Sequence, residues 1–291
     1  MRRFRFLLIV FFAVVLVIFG VSRVREQLTS DYDPPTITAD TDTLYLSVNA
    51  TDAEYLAGMT AYDKKDGDVT NTLVVVSKTK FSSKGTLRVN YAAFDNNSNV
   101  GTYTRDVTYT DYHSPHLSLT SPLRYIEGST RVDFLSSFAA EDCMDGNIST
   151  KIRVSSGNKE IVSDTLATEP ITVQVTNSAG DTSTIELTAR YESYNDYSQP
   201  APSLSDYIIY ATVGGVRPDL RAGINGVWSS GAVRRFESTN YSFTDISVSD
   251  SGVDYNTPGV YPITYSLSRT VNGERTTLGT SYAYLVVEAA A

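Results

Sequence analysis

Four aspartates in the first third of the sequence have the residue type and spacing of a calcium site. Asp63, Asp66 and Asp68 lie within one six-residue stretch, and Asp95 follows a strand-like alternation further along. Calcium prefers clustered carboxylate and carbonyl oxygens. Asp66-Gly67 is equally typical of a tight turn, because Asp bonds to the local backbone and Gly tolerates positive φ. A weak calcium site and a purely structural turn both stay open, and no other cofactor is expected.

Few residues of the sequence could support nucleophilic catalysis. Cys143 is the only cysteine, and His113 and His116 are the only histidines. An activated thiol or serine needs a base within hydrogen-bond reach, but both histidines flank Pro115 in a predicted linker. We therefore expect Cys143 to be a structural residue and the protein not to be an enzyme. Because a single cysteine cannot form an intramolecular disulfide, an exported chain of this kind suggests a bacterial source.

Trp228 and Tyr241 are the candidate ligand-binding residues. Trp228 is the only tryptophan and lies in a glycine-rich and serine-rich stretch near Arg234 and Arg235. An exposed aromatic side chain beside polar loops can stack on a sugar or anchor a protein partner. A position in the hydrophobic core is the alternative, and the sequence does not decide between them.

The charge of the 291-residue chain argues against nucleic acid as a partner. The formal net charge is −9, and basic residues occur only as isolated pairs such as Lys64-Lys65 and Arg234-Arg235. Phosphate backbones are bound by clustered cations. An acidic surface instead suits a domain that stays dispersed outside a cell.

The N-terminus predicts a membrane segment. Residues 6–22 are almost wholly apolar and uncharged, and they follow Arg2, Arg3 and Arg5. Seventeen residues reach the lower limit of a transmembrane helix and exceed a typical signal-peptide core. Gly20 and Ser22 nevertheless have the spacing of a cleavage site. We expect a retained anchor with a cytoplasmic N-terminus and an extracellular remainder, and the alternative is a signal segment.

Beyond this segment the sequence predicts an all-β fold. Leu87, Val89, Tyr91 and Ala93 alternate with polar residues, so one strand face is apolar and the other faces water. The same period recurs at 171–175, 185–189 and 261–267. Strands with one apolar face pair as two sheets around a shared core, which predicts β-sandwiches.

An internal repeat divides the exported chain. Residues 61–70 align with 140–149 at an offset of 79, and 91–95 align with 173–177 at an offset of 82. This spacing suits one small sandwich per repeat. In the second repeat Asn147 stands where the first has Asp68, which lowers the charge and weakens a shared metal site.

A third, more divergent repeat follows, in which 259–265 resemble 85–91. Proline-containing linkers separate the repeats, and we expect a semi-rigid series of domains, each with its own core. The predicted organisation is a cytoplasmic tail (1–5), a transmembrane anchor (6–22), a juxtamembrane linker (23–32) and three domains (33–112, 113–196 and 197–288).

The first repeat carries a family resemblance. It combines Ala-x-Asp-x-x-Asp-Gly-Asp-Val at 61–69, Gly-x-Leu-x-Val-x-Tyr at 85–91 and a polar turn at 95–99. This combination resembles the bacterial surface immunoglobulin-like domain family, in the style of hyaline-repeat modules. The resemblance covers most of 33–288. It implies three tandem Ig-like β-sandwich domains, used as adhesive modules or spacers and without catalytic residues.

These observations together predict a single-pass bacterial cell-surface protein. Its extracellular domains would bind a protein or a polysaccharide, or act as a spacer. The alternative is a non-catalytic subunit of a membrane or envelope complex, in which the domains contact a partner protein.

Overall fold

The computed structural model describes residues 2–29, 31–129, 132–229, 232–271 and 273–290. These residues divide into two compact units, 1–111 and 112–291. The fold of the described residues is dominated by β-sheet and carries one long N-terminal helix, so the all-β expectation for the residues after this helix is confirmed. The division into three Ig-like domains at 112/113 and 196/197 stays a prediction.

Helix α1 spans Arg2–Thr29 and is longer than the apolar run that predicted it. Its membrane-compatible part is Phe4–Arg25, 22 residues with a mean hydropathy of 2.9 and none of it buried. At about 1.5 Å per residue this segment is roughly 33 Å long, enough to cross a hydrocarbon core of about 30 Å. A single-pass anchor and a signal sequence both have these features.

The described residues of the first unit form seven strands in two sheets. One sheet has the order β1-β3-β4 and the other the order β2-β7-β6-β5, with β2 parallel to β7. A short helix, α2 (Asp52–Tyr55), precedes β3. The strands are β1 (Thr36–Ala39), β2 (Thr43–Leu46), β3 (Met59–Asp63), β4 (Gly67–Asp68), β5 (Val74–Ser83), β6 (Thr86–Phe94) and β7 (Val100–Tyr109).

Alternating burial gives this unit its core. Met59 and Ala61 are buried on β3, and Val89 and Tyr91 are buried on β6, while the residues between them are more exposed. Each sheet therefore turns one apolar face inward, as in a β-sandwich. The pattern also places Asp63 on the inward face of β3 at its last position, where the strand leads into a turn.

In the second unit, the part of the chain that the structure describes forms fifteen strands in four sheets, with orders β11-β10-β8, β12-β14-β15-β9 (β13 pairs with β14), β16-β18-β19 and β17-β22-β21-β20. One short helix, α3 (Tyr194–Ser198), follows β15. The strands are β8 (His116–Leu119), β9 (Arg124–Ile126), β10 (Phe138–Asp142), β11 (Gly146–Asn147), β12 (Arg153–Ser156), β13 (Glu160–Ser163), β14 (Leu166–Thr176), β15 (Thr182–Glu192), β16 (Ala201–Leu204), β17 (Ile208–Thr212), β18 (Ile224–Ser229), β19 (Ala232–Arg234), β20 (Ile246–Ser249), β21 (Gly259–Val271) and β22 (Glu274–Glu288).

The second and third repeats share one hydrophobic core, so the expectation of separate cores is wrong for these two repeats. Buried residues of both repeats form a continuous cluster, and hydrogen bonds cross between them. The Tyr207 amide donates to the Leu119 carbonyl at 2.9 Å. The Tyr284 hydroxyl accepts from the Thr188 amide and donates to the Thr188 carbonyl, both at 2.9 Å.

Gly279 on β22 provides a test of close packing in the second unit. A Cβ atom added there would lie 2.5 Å from the carbonyl oxygen of Pro200, whereas one added at Gly252 would meet open space. We expect Gly279→Ala to destabilise the second unit by about 1–3 kcal/mol, because backbone must move to relieve the clash. Urea denaturation followed by tryptophan fluorescence measures the change. Gly252→Ala is the matched control, and equal midpoints for the two variants would contradict the close approach.

Candidate metal centre

Asp63 organises the turn between β3 and β4. Its Oδ1 accepts hydrogen bonds from the backbone amides of Lys65 at 2.7 Å and Asp66 at 2.8 Å. Gly67 completes the turn with φ of 81°, a conformation that favours glycine. The turn predicted from Asp66-Gly67 is therefore present, but the carboxylate that holds it belongs to Asp63.

Asp63 stays ionised in this position. Only 1% of the residue is exposed. The amide of Asp66, followed by that of Lys65, lowers the pKa of the Asp63 carboxyl, and burial opposes this without reversing it. Two backbone donors stabilise the charged form more than desolvation penalises it. A buried negative charge therefore sits at the end of the sandwich.

Asp31 and Asp66 bring two more carboxylates to the same place. One carboxylate oxygen from each of Asp31, Asp63 and Asp66 lies within 4.8 Å of one from each of the others. The Oδ2 atoms of Asp31 and Asp63 are buried and accept no hydrogen bond from any described residue. Such atoms are costly without a partner, which makes this group the strongest candidate for a metal centre among the described residues.

The loop after β6 closes one side of the group. Asp95 is 8% exposed, and its Oδ1 accepts from the amides of Asn97 at 2.9 Å and Asn99 at 2.7 Å. The side-chain amide of Asn99 donates to Asp95 Oδ2 at 2.6 Å and to the carbonyl oxygen of Asp31 at 2.9 Å. The Asn96 amide donates to Asp66 Oδ2 at 2.8 Å. Asp95 thus supports the group from beside it.

The four aspartates predicted to bind calcium therefore do not all lie in one group. Asp63 and Asp66 meet, Asp95 is linked to the group through Asn99, and Asp68 is outside it. Asp68 is exposed, and its Oδ1 accepts from the Thr70 amide at 2.9 Å. Sequence reasoning missed Asp31, which lies far from the others along the chain. The repeat carried a signal for it, because Asp31-Tyr32 ahead of Pro35 recurs as Asp111-Tyr112 ahead of Pro115 at an offset of 80.

The second repeat builds the same turn with different surroundings. Asp142 Oδ1 accepts from the amides of Met144 and Asp145, both at 2.9 Å. Its Oδ2, however, accepts from the Asn177 side-chain amide at 3.0 Å. Asn177 stands where the first repeat has Asp95. The neutral amide supplies the partner that Asp63 Oδ2 lacks.

Tyr112, which lies ahead of β8, completes this internal network. The Tyr112 hydroxyl donates to Asp181 Oδ2 at 2.7 Å and accepts from the Asn177 amide at 2.9 Å. Burial, and after it the hydrogen bond to the Asp181 carboxylate, raises the pKa of Tyr112. The phenol therefore remains a neutral donor throughout the physiological range.

Asp145, the counterpart of Asp66, is also neutralised within the protein. Its Oδ2 accepts from Lys151 Nζ at 2.9 Å and from the Ser178 amide at 2.7 Å. Burial raises the pKa of Asp145, but the bonds from Ser178 and Lys151 outweigh it and lower the pKa overall. In the second repeat, side chains of the protein therefore supply the hydrogen-bond partner that Asp63 Oδ2 lacks in the first repeat.

The histidines and the cysteine form a packed junction. The rings of His113 and His116 stack at 4.5 Å, and His116 stacks on Tyr210 at 3.9 Å. His116 Nε2 lies 3.3 Å from a carboxylate oxygen of Glu288. The Cys143 thiol donates to the backbone carbonyl of His113 at 3.4 Å, which is a contact with the main chain and not with an imidazole base.

The aromatic candidates Trp228 and Tyr241 lie on different elements. Trp228 is half-buried on β18, paired with Ala201 and Val233 on the flanking strands. Its indole N–H is buried and donates to no described residue. Tyr241 packs against the hydrophobic core of the second unit. Trp228 is thus neither fully exposed nor fully buried, and ligand binding by Trp228 and Tyr241 stays a prediction.

An open groove in the second unit was not anticipated from the sequence. Residues of β15, β21 and β22 line it, among them Glu186, Arg190, Pro262 and Tyr282. The Arg190 guanidinium lies 4.1 Å from the centre of the Tyr282 ring. Charged and aromatic groups therefore meet on a surface that joins the second and third repeats.

Removal of one hydroxyl tests the internal network of the second repeat. We expect Tyr112→Phe to destabilise the second unit by about 1–3 kcal/mol, because Asp181 and the buried Asn177 amide each lose a partner. Thermal unfolding of the variant measures the loss. Tyr194→Phe is the control, since Tyr194 is 70% exposed. A Tyr112→Phe midpoint equal to that of the control would contradict the proposed role of the hydroxyl.

Comparisons with known proteins place little constraint on this chain. No protein-family model matches it, and no curated protein matches its sequence. Solved structures give distant similarities. A Clostridium perfringens ZmpB structure of CBM51-2 with GlcNAc and INT domains is 14% identical, covers 54% of this chain and 41% of that chain, and has a TM-score of 0.22.

Two further structures are similar over more of the sequence. Mouse Cadherin-23 EC22-24 is 12% identical and covers 89% of this chain and 100% of that chain, with a TM-score of 0.21. The lipoprotein BT2262 from Bacteroides thetaiotaomicron is 11% identical and covers 86% and 98%, with a TM-score of 0.19. This chain spans less than half of the two ZmpB chains it matches. TM-scores this low carry no argument about its fold or its function.

Proposed function

We propose that this protein is a membrane-anchored bacterial cell-surface protein whose extracellular β-sandwich domains serve as a binding or spacer module. The observation that carries the proposal is a wholly exposed apolar helix of 22 residues joined to acidic β-sheet units. An apolar surface of this size is stable in a bilayer and unstable in water. The proposed role is non-catalytic.

The charge pattern around the helix supports its orientation. Arg2, Arg3 and Arg5 precede the apolar segment, whereas Arg23 and Arg25 lie at its other end with Glu26. Cytoplasmic flanks carry the excess of Lys and Arg, which favours an N-terminus inside the cell. The β-sheet units then lie outside, where their negative charge keeps them dispersed.

The shared core of the second and third repeats supports a surface for binding. A rigid body holds the groove lined by Glu186, Arg190 and Tyr282 in a fixed shape, and a preformed surface binds with less loss of entropy. Arginine and tyrosine are enriched at binding hot spots. This groove and Trp228 are the two surfaces we propose for an extracellular protein or polysaccharide.

A second candidate function is a non-catalytic subunit of a membrane or envelope complex. It is favoured by the helix itself, which exposes apolar side chains around its whole circumference, including Phe11, Phe12 and Leu16. Such a helix can pack against other transmembrane helices as well as against lipid. The two functions differ in whether the helix sequence matters beyond its apolarity.

Surface proteolysis tests the topology. On intact bacterial cells we expect protease to remove a C-terminal epitope tag and to leave an N-terminal tag protected, because only the β-sheet units lie outside. Immunoblots of treated cells give the readout. A variant lacking residues 4–25 is the control and should leave the membrane fraction. Protection of the C-terminal tag on intact cells would contradict the proposed orientation.

Replacement of the helix separates the two functions. Residues 4–25 are exchanged for an unrelated apolar helix of equal length, and partners are captured by crosslinking in the native host. We expect the binding module to keep its partners, since they contact the β-sheet units. Loss of a membrane-protein partner on exchange would favour the complex subunit.

A further inference from the structure

We propose that Asp31, Asp63 and Asp66 bind one Ca²⁺ ion, and that this ion ties the linker after α1 to the first β-sandwich. The proposal goes beyond the function above and does not depend on it. It rests on the geometry of the first repeat and on its comparison with the second.

The first argument is the unmet hydrogen-bonding capacity of a buried carboxylate. Asp63 is 99% buried as a residue, and its Oδ2 has no hydrogen-bond partner among the described residues, although its Oδ1 has two. Asp31 Oδ2 also has no hydrogen-bond partner among the described residues. One carboxylate oxygen from each of Asp31, Asp63 and Asp66 lies within 4.8 Å of one from each of the others. Three carboxylates this close repel one another unless a positive charge lies between them.

The second argument is the contrast between the two repeats. In the second repeat, side chains of the protein pair with the corresponding carboxylates. The Asn177 side-chain amide donates to Asp142 Oδ2, and Lys151 forms an ion pair with Asp145. The Tyr112 hydroxyl adds a neutral group to this network. The first repeat has Asp95 and Thr72 where the second has Asn177 and Lys151, so it lacks both of these partners. A cation from solution would supply what the second repeat builds in.

The donor chemistry selects calcium. Carboxylate oxygens on loops of different elements are hard ligands, and Ca²⁺ accepts six to eight such oxygens in irregular geometry with water completing the shell. Mg²⁺ requires a near-ideal octahedron and retains its water more strongly. The backbone amide of Lys65 donates to the Asp63 carboxylate, and the positive charge of Lys65 also lowers the pKa of Asp63.

The position of Asp31 in the linker between α1 and β1 determines what a bound ion would hold in place. Asp31 lies two residues after the end of α1 at Thr29 and shortly before Pro34 and β1. Its carbonyl already accepts from Asn99 in the loop after β6. An ion shared with Asp63 and Asp66 would fasten the same residue by its side chain as well. Calcium would therefore stiffen the joint between the helix and the sandwich.

Calorimetry on the full-length protein in detergent tests the site. After removal of metal with EDTA and dialysis, CaCl₂ is titrated into the protein. We expect one saturable site with a dissociation constant of about 0.1–1 mM, the range of extracellular modules, and roughly tenfold weaker binding of MgCl₂. Absence of a saturable signal in folded protein would overturn the proposal. Equal affinity for the two cations would overturn the assignment to calcium.

Matched variants locate the ion. We expect Asp31→Asn and Asp63→Asn to weaken calcium binding at least tenfold, while Asp68→Asn leaves it unchanged. Asp68 belongs to the same turn and carries the same charge but lies outside the cluster. Asp31→Asn keeps an acceptor for the Asp33 amide and serves if Asp63→Asn does not fold. Wild-type affinity in Asp31→Asn would overturn the site.

Conversion of the first repeat to the pattern of the second is the reciprocal test. We expect the double variant Thr72→Lys and Asp95→Asn, which places the counterparts of Lys151 and Asn177 in the first repeat, to fold without calcium and to bind none. Amide hydrogen exchange at residues 31–33 should slow on addition of calcium in the wild type and in Asp68→Asn, and should not respond in the double variant. Exchange rates at residues 31–33 that do not change when calcium is added to the wild type would overturn the proposal that the ion fastens the linker after α1.

Discussion

A carboxylate removed from water imposes the constraint on which this architecture depends. At the end of the third strand of each of the first two repeats, an aspartate turns inward and holds the next turn with one oxygen. The second oxygen must also find a partner, because an unpaired buried charge is costly. Everything that surrounds Asp63 and Asp142 can be understood as two different responses to that need.

The same backbone frame tolerates both responses because the turn requires only one carboxylate oxygen and a glycine. The side chains that approach from the preceding linker and from the later loop are then free to vary. In the second repeat they are Tyr112 and Asn177, which are neutral hydrogen-bonding groups. In the first they are Asp31 and Asp95, which add charge. Duplication of a stable frame has thus allowed a structural network and a candidate ion site to occupy equivalent positions.

The packing of the second and third repeats also differs from what the sequence predicts. Proline-containing linkers predicted a semi-rigid series of domains, each with its own core. Tyr284 of the third repeat instead donates to and accepts from the backbone of the second, and both repeats bury apolar residues in one cluster. Long-range contacts of this kind leave no local signal in sequence. They also create the groove near Arg190 and Tyr282, which neither repeat forms alone.

The sequence by itself determined the apolar helix, the all-β character and the tight Asp-Gly turns, because these depend on composition, on a period of two and on local hydrogen bonding. It also identified Asp63 and Asp66 as potential ligands. Only the tertiary structure decided that Asp31 joins them, that Asp68 does not, and that Trp228 lies on a strand. Residues distant in sequence meet through sheet pairing and loop packing, and their partners, not their types, decide whether a carboxylate is left available for an ion.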